Sequence, residues 1–267
     1  MHSNTSTQPG HSGAVSPKPQ RPVWGFGILS FGIFLGFGIL GFGICARSAP
    51  EPAASHARWQ KDMDAFAAQD EASPPAQGGV LFLGSSSIRL WKTLAADFPG
   101  VPVLNRGFGG SRIADSTHYF DRLVMPSKPS LIVFWAGTND INAGLDAEQV
   151  AADFRAFCAR LHSALPGTRL IYISIALVEK RWEQRATVSL ANTYIAAFCH
   201  QNPNLLFLDT NSALLTPDGK PRPELYRKDQ LHMNEKGYDL WAKLLQPLVV
   251  KHWASPFPKS EISNPKP

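Results

Sequence analysis

Five short apolar runs lie along the chain with little polar alternation inside them: residues 79–83, 101–104, 130–135, 169–175 and 204–208. Runs of this length, rich in Val, Ile, Leu and Phe, predict strands covered on both faces. Between them the period lengthens to that of helices. The clearest helical stretch covers 146–165, with Val150, Phe154, Phe157, Leu161 and Leu165 on one face and Pro166-Gly167 as its stop. Others are predicted over 184–200, over 234–250 with a Tyr238, Trp241, Leu244, Leu245 and Leu248 stripe, and over 88–94 after the first strand. Strand alternating with helix in this way predicts a parallel sheet with helices on both faces.

Ahead of the first strand, Trp59, Met63 and Phe66 recur at i, i+4 and i+7, which predicts a short helix docking on the domain and ending at Ser73-Pro74-Pro75. Residues 23–45 contain no charged side chain and repeat Gly-Phe-Gly-Ile three times. That length suits a bilayer span, for which about 20 apolar residues are needed. A cleaved signal peptide has a shorter apolar core and a small-x-small site, and a lipoprotein signal places a small residue where Ile44 precedes Cys45. An uncleaved anchor fits best. The predicted organisation is a disordered cytoplasmic tail (1–22), a transmembrane anchor (23–45), a linker and docking helix (46–77), an α/β domain (78–253) and a loose tail (254–267). With the amino terminus inside, the domain is expected in a periplasmic or other extracytoplasmic space, although the charge bias across the span is slight.

The 267 residues carry a net charge of +5. Lys and Arg are scattered and no basic run is interleaved with aromatics, so the balance predicts a solvated surface and no nucleic-acid partner. The three cysteines form no Cys-x-x-Cys, and no His/Cys cluster has ligand spacing, so no metal site is expected. Cys158 and Cys199 are expected as buried packing.

Candidate chemistry sits in four segments: Gly84-Ser85-Ser86-Ser87, Asn105-Arg106-Gly107-Phe108-Gly109-Gly110-Ser111, Gly137-Thr138-Asn139-Asp140 and Asp229-Gln230-Leu231-His232. In this order they resemble the SGNH hydrolases, the superfamily of the GDSL esterases and lipases. The resemblance spans residues 80–250 and implies a three-layer α/β/α, flavodoxin-like fold with a five-stranded parallel sheet. It also implies Ser86 as nucleophile and the Ser86 and Gly110 N–H groups with the Asn139 amide as the oxyanion hole. Asp229 and His232 are then the remaining catalytic pair, and Asp140 is a structural tie. The family reads Gly-Asp-Ser at the first block, whereas Ser85 stands at the Asp position here.

Function follows as a serine esterase acting on a short acyl ester, such as acetyl on a glycan or small molecule, with no cofactor. A lysophospholipase or thioesterase, an envelope acyltransferase and an inactive module binding acylated glycans or lipids remain as alternatives. Arg181 and Trp182, after the fourth strand, are substrate-pocket candidates. Partners expected are the ester substrate and, through 23–45, a membrane; oligomeric state is not readable.

Overall fold

The computed structural model describes residues 53–254. The expected tail 1–22, the anchor 23–45, the start of the linker and residues 255–267 lie outside the described residues. Among the described residues no helix is long and apolar enough to cross a membrane.

The strands are β1 (Val80–Gly84), β2 (Val103–Gly107), β3 (Leu131–Trp135), β4 (Arg169–Ile173) and β5 (Leu205–Leu208). The helices, in chain order, are α1 (Gln60–Ala72), α2 (Ser86–Arg89), α3 (Leu94–Asp97), α4 (Ile113–His118), α5 (Phe120–Leu123), α6 (Thr138–Asn142), α7 (Ala147–Ala164), α8 (Arg185–His200), α9 (Asn211–Leu214) and α10 (Glu235–Ala254). The strands pair in the order β2-β1-β3-β4-β5, all parallel. This is the predicted five-stranded α/β/α arrangement. The order reverses on either side of β1, so the carboxyl ends of β1, β2 and β3 border one crevice.

Side chains on successive strand positions enter opposite layers, as the pleat requires. Leu81, Leu83, Ile132, Phe134, Leu170 and Tyr172 join the layer built with Phe154, Phe157, Leu161, Val188 and Ile195. Val80, Phe82, Leu131, Val133, Ile171 and Ile173 join the other, closed by Trp91, Phe98, Trp241, Leu245 and Val249. Cys158 and Cys199 are free thiols in the first layer.

β4 ends at Ile173, two residues short of the predicted run, and α10 continues to Ala254, past the predicted 250; two further differences lie beside the site. β2 starts at Val103 and continues through Asn105 and Arg106 to Gly107. Polar residues sit inside this strand because their partners come from elsewhere. Asn105 Nδ2 donates to Ile88 O (2.8 Å) and its Oδ1 accepts the Gly107 N–H (2.9 Å). Arg106, 1% exposed, pairs with Asp70 and lies over the Phe66 ring. The stretch 88–94 is not one helix: α2 stops after a single turn and α3 begins at Leu94.

Trp59, Met63 and Phe66 pack on the core as their spacing predicts, the first two buried. Each fully buried side chain of this size contributes about 1.5–3 kcal/mol. Ser73 closes α1, its N–H donating to Gln69 O. α7 is capped by Asp146, which accepts the Gln149 N–H at 2.8 Å.

Candidate active site

Each site segment leaves the sheet at a carboxyl end. β1 terminates at Gly84, whose φ is +147°, and a Cβ there would lie 1.9 Å from Trp135 O. Only glycine permits this approach of the β1 and β3 ends. The chain then turns through Ser85, whose N–H donates to Trp135 O (3.2 Å), into α2. α2 is held from two sides: Tyr238 Oη donates to Ser87 O (2.9 Å), and Asn105 donates to Ile88 O. Ser86 is the first residue of α2 and is partly exposed.

Past β2, the Phe108 N–H donates to Gly84 O (2.9 Å), so the second segment lies directly beside the first. Gly110 adopts φ +78°, a left-handed conformation suited to glycine. Its carbonyl accepts from Arg58 (3.0 Å), and the Gly109 carbonyl accepts from Trp59 Nε1 (3.0 Å). The segment before α1 therefore pins this loop, a contact that no pattern in the sequence marks. Among the described residues, neither the Ser86 N–H nor the Gly110 N–H is given to a protein acceptor.

Past β3, Asn139 is the second residue of the short helix α6. Its Nδ2 donates to Ser85 Oγ (2.8 Å) and Ser111 O (3.0 Å), which occupies both amide hydrogens. Its Oδ1 accepts from both terminal nitrogens of Arg181, each at 3.2 Å, and Arg181 also donates to Thr138 O (2.8 Å). Arg181, taken from sequence as a pocket candidate, is thus partly buried with its guanidinium on Asn139. Trp182 is partly exposed, with Lys220 and Arg185 over its ring. Asp140 is fully buried; its Oδ1 accepts the Ile113 N–H (3.0 Å), tying the third segment to the second. Burial pushes its carboxyl up to about 7, against the lowering effect of that N–H.

The fourth segment is a tight loop before α10. The Arg227 N–H donates to His232 O (2.8 Å), and an isolated bridge joins Tyr226 to Met233. Asp229 Oδ1 accepts the N–H groups of Leu231 and His232, both at 3.0 Å, and Oδ2 lies 2.7 Å from His232 Nδ1. Partial burial raises the Asp229 carboxyl, but these N–H groups and the imidazole outweigh it and hold it at about 2. His232 Nε2 lies 3.0 Å from Ser86 Oγ. The imidazole therefore addresses Ser86, whereas Ser85 Oγ is bonded to Asn139. A carboxylate, an imidazole and a hydroxyl thus stand in continuous hydrogen-bond contact beside two open backbone donors, which is the geometry acyl-transfer chemistry uses. Among the described residues no three His, Cys, Asp or Glu side chains are grouped to hold a metal ion.

The profile of the GDSL-like Lipase/Acylhydrolase family matches residues 77–240. No match is found among curated proteins. Several solved structures share the fold. A GDSL-like lipase from Bacteroides thetaiotaomicron superposes with TM-score 0.61 at 21% identity, over 71% of this chain and 98% of that one. A family 3 carbohydrate esterase from Talaromyces cellulolyticus gives 0.51 at 20% identity, over 65% and 97%. A mutant of an acetyl esterase with an acetate ion gives 0.52 at 21% identity, over 65% and 97%. The chain belongs to the GDSL-like lipase/acylhydrolase family and is a hydrolase acting on ester bonds.

Proposed function

We propose that the chain is a serine esterase that removes a short acyl group, such as acetyl, from a glycan or small-molecule alcohol. The observation that carries this reading is the relay from Asp229 Oδ2 through His232 to Ser86 Oγ, with steps of 2.7 and 3.0 Å. His232 Nε2 takes the Ser86 proton as Oγ bonds to the ester carbonyl carbon. The carbonyl electrons move to oxygen, and that oxyanion is received by the Ser86 and Gly110 N–H groups and the Asn139 amide. Because both Asn139 hydrogens are occupied at rest, the bond to the Ser85 hydroxyl is the one exchanged for the oxyanion. Collapse expels the alkoxide, which leaves with the proton from His232, and water repeats the cycle on the acyl-enzyme. Asp229 stays ionised throughout and fixes the tautomer with Nδ1–H toward itself.

Short acyl length is supported by the loops. α2 follows β1 directly, and α4 and α6 begin within about six residues of the ends of β2 and β3. No apolar insertion stands there to wall a deep acyl tunnel. The same fold carries an acetyl esterase and a carbohydrate esterase.

The test is a panel of p-nitrophenyl esters and acetylated sugars, with a fluorophosphonate probe and Ser86→Ala. Acetate esters should give the highest kcat/KM, and Ser86→Ala should abolish turnover and labelling. A long-chain optimum would move the assignment to a lysophospholipase-type hydrolase. Absence of labelling in the unmodified protein would leave only a binding role, and acyl delivery to an added alcohol in preference to water would indicate a transferase.

The charge-free run 23–45 supports a membrane-anchored enzyme with an extracytoplasmic catalytic domain. The full chain should sediment with membranes, and protease added outside spheroplasts should digest the domain. Complete protection would reverse the orientation.

A further inference from the structure

We infer that Arg181 is a positioning residue that sets which way the Asn139 amide faces; this rests on the esterase reading above. A primary amide has two orientations of nearly the same shape and opposite chemistry. Turned one way, Asn139 offers N–H to a developing oxyanion. Turned the other way, it offers a carbonyl lone pair and repels that charge. The choice depends on the partners at both ends: the Ser111 carbonyl accepts one amide hydrogen at 3.0 Å, and Arg181 stands behind the amide oxygen.

A guanidinium has donors only. Both terminal nitrogens of Arg181 reach Asn139 Oδ1 at 3.2 Å, and one also holds the adjoining Thr138 carbonyl at 2.8 Å. With the carbonyl end so held, Nδ2 faces Ser85 Oγ and the Ser111 carbonyl. The cation also polarises the amide, which strengthens its N–H as a donor in a partly desolvated setting. Arg181 is itself anchored by its turn, residues Glu179–Gln184, in which its φ and ψ of −130° and 32° break the helical run. The neighbouring Lys180 N–H donates to Gln230 O (3.2 Å) in the loop that carries His232. One turn thus braces the amide donor and the loop of the base together, and Arg181 does so without touching the reacting atoms.

The experiment uses the full chain with p-nitrophenyl acetate and compares Arg181→Ala, Arg181→Lys, Asn139→Ala and the Arg181→Ala/Asn139→Ala pair. Removing one oxyanion donor costs about 100- to 1,000-fold in turnover. Releasing its orientation should cost about 10- to 100-fold in kcat, with KM within about threefold. Arg181→Lys should be intermediate, since an ammonium keeps the positive charge and loses the fork. Millimolar guanidinium should restore part of the Arg181→Ala activity, and Arg181→Ala should have no further effect once Asn139 is alanine. A rise in KM at unchanged kcat would overturn the proposal and make Arg181 a substrate contact. An equal loss in the Asn139→Ala background would overturn it as well. Thermal midpoints identify any variant that is merely misfolded, in which case Arg181→Lys and its kcat decide. Activity surviving in Ser86→Ala would instead defeat the acyl-enzyme reading and leave this comparison standing.

Discussion

The Asn139 amide donates at 2.8 Å to the hydroxyl of Ser85, the residue immediately before Ser86. A neutral hydroxyl there accepts the amide N–H without adding a negative charge next to Ser86. It can also rotate away when a stronger acceptor arrives. His232 faces Ser86 at 3.0 Å, so the two neighbouring serines have separate partners. Ser85→Ala should therefore keep fluorophosphonate labelling and stay within about tenfold of the unmodified kcat, because no buried charge is left unpaired. Labelling lost in Ser85→Ala and kept in Ser86→Ala would exchange their roles.

Asp229→Asn keeps the shape of the fourth segment but replaces the acceptor for Nδ1–H with an amide that can present N–H to the imidazole. The wrong tautomer then faces Ser86. In the Ser-His-Asp template the equivalent change lowers kcat by about four orders of magnitude. A loss of at least about 100-fold in kcat is expected here; a loss below tenfold would show that the carboxylate only shapes the loop. Its carboxyl, held at about 2 against an ordinary 3.8, is ionised in the folded chain at every pH above about 4. The stabilising contribution of this group is present above the unfolded value and is lost as the pH falls toward 2.

Asp140 has the opposite sign. Burial raises its folded value to about 7, and Oδ2 is buried with no hydrogen-bond partner. Between about pH 4 and 7 the folded chain holds a proton that the unfolded chain has lost, so stability falls as pH rises through that window. The span of about three pH units corresponds to at most about 4 kcal/mol. Thermal midpoints of the unmodified protein should fall from pH 5 to 8, and those of Asp140→Asn should be flatter. The same slope in both would remove Asp140 as the source.

The segment before β1 belongs physically to the catalytic domain. Trp59 and Met63 are buried, Asp70 is the partner of buried Arg106, and Arg58 and Trp59 hold the Gly109–Gly110 carbonyls. A chain beginning near His56 should fold and turn over p-nitrophenyl acetate. One beginning at Gln77 leaves the Arg106 charge buried without its partner, a defect that costs about 3–5 kcal/mol, and should be unstable or inactive. Full activity and an unchanged midpoint in the shorter chain would show that this docking is dispensable.

Much of the architecture is legible from local pattern. The strands β1, β3 and β5 lie within a residue of the apolar runs, and α7 and α10 follow their apolar stripes, because burial on two faces or on one stripe leaves a periodicity in the chain. β2 was displaced because its second half is polar: Asn105 and Arg106 belong there through partners on α2 and α1, and a hydropathy pattern does not register distant partners.

What the sequence by itself determined is the order of elements, the parallel sheet and the four segments with their residue types. Within the run of serines, the family resemblance already implied Ser86 and not Ser85 as the nucleophile. Only the tertiary structure decided that His232, 146 residues away, reaches Ser86. It also decided that Arg181 faces the Asn139 carbonyl and that Arg58 and Trp59 close on the glycine loop. Those relations depend on the packing of strand ends and loops that are remote in sequence. A chain written residue by residue carries their chemistry but not their directions.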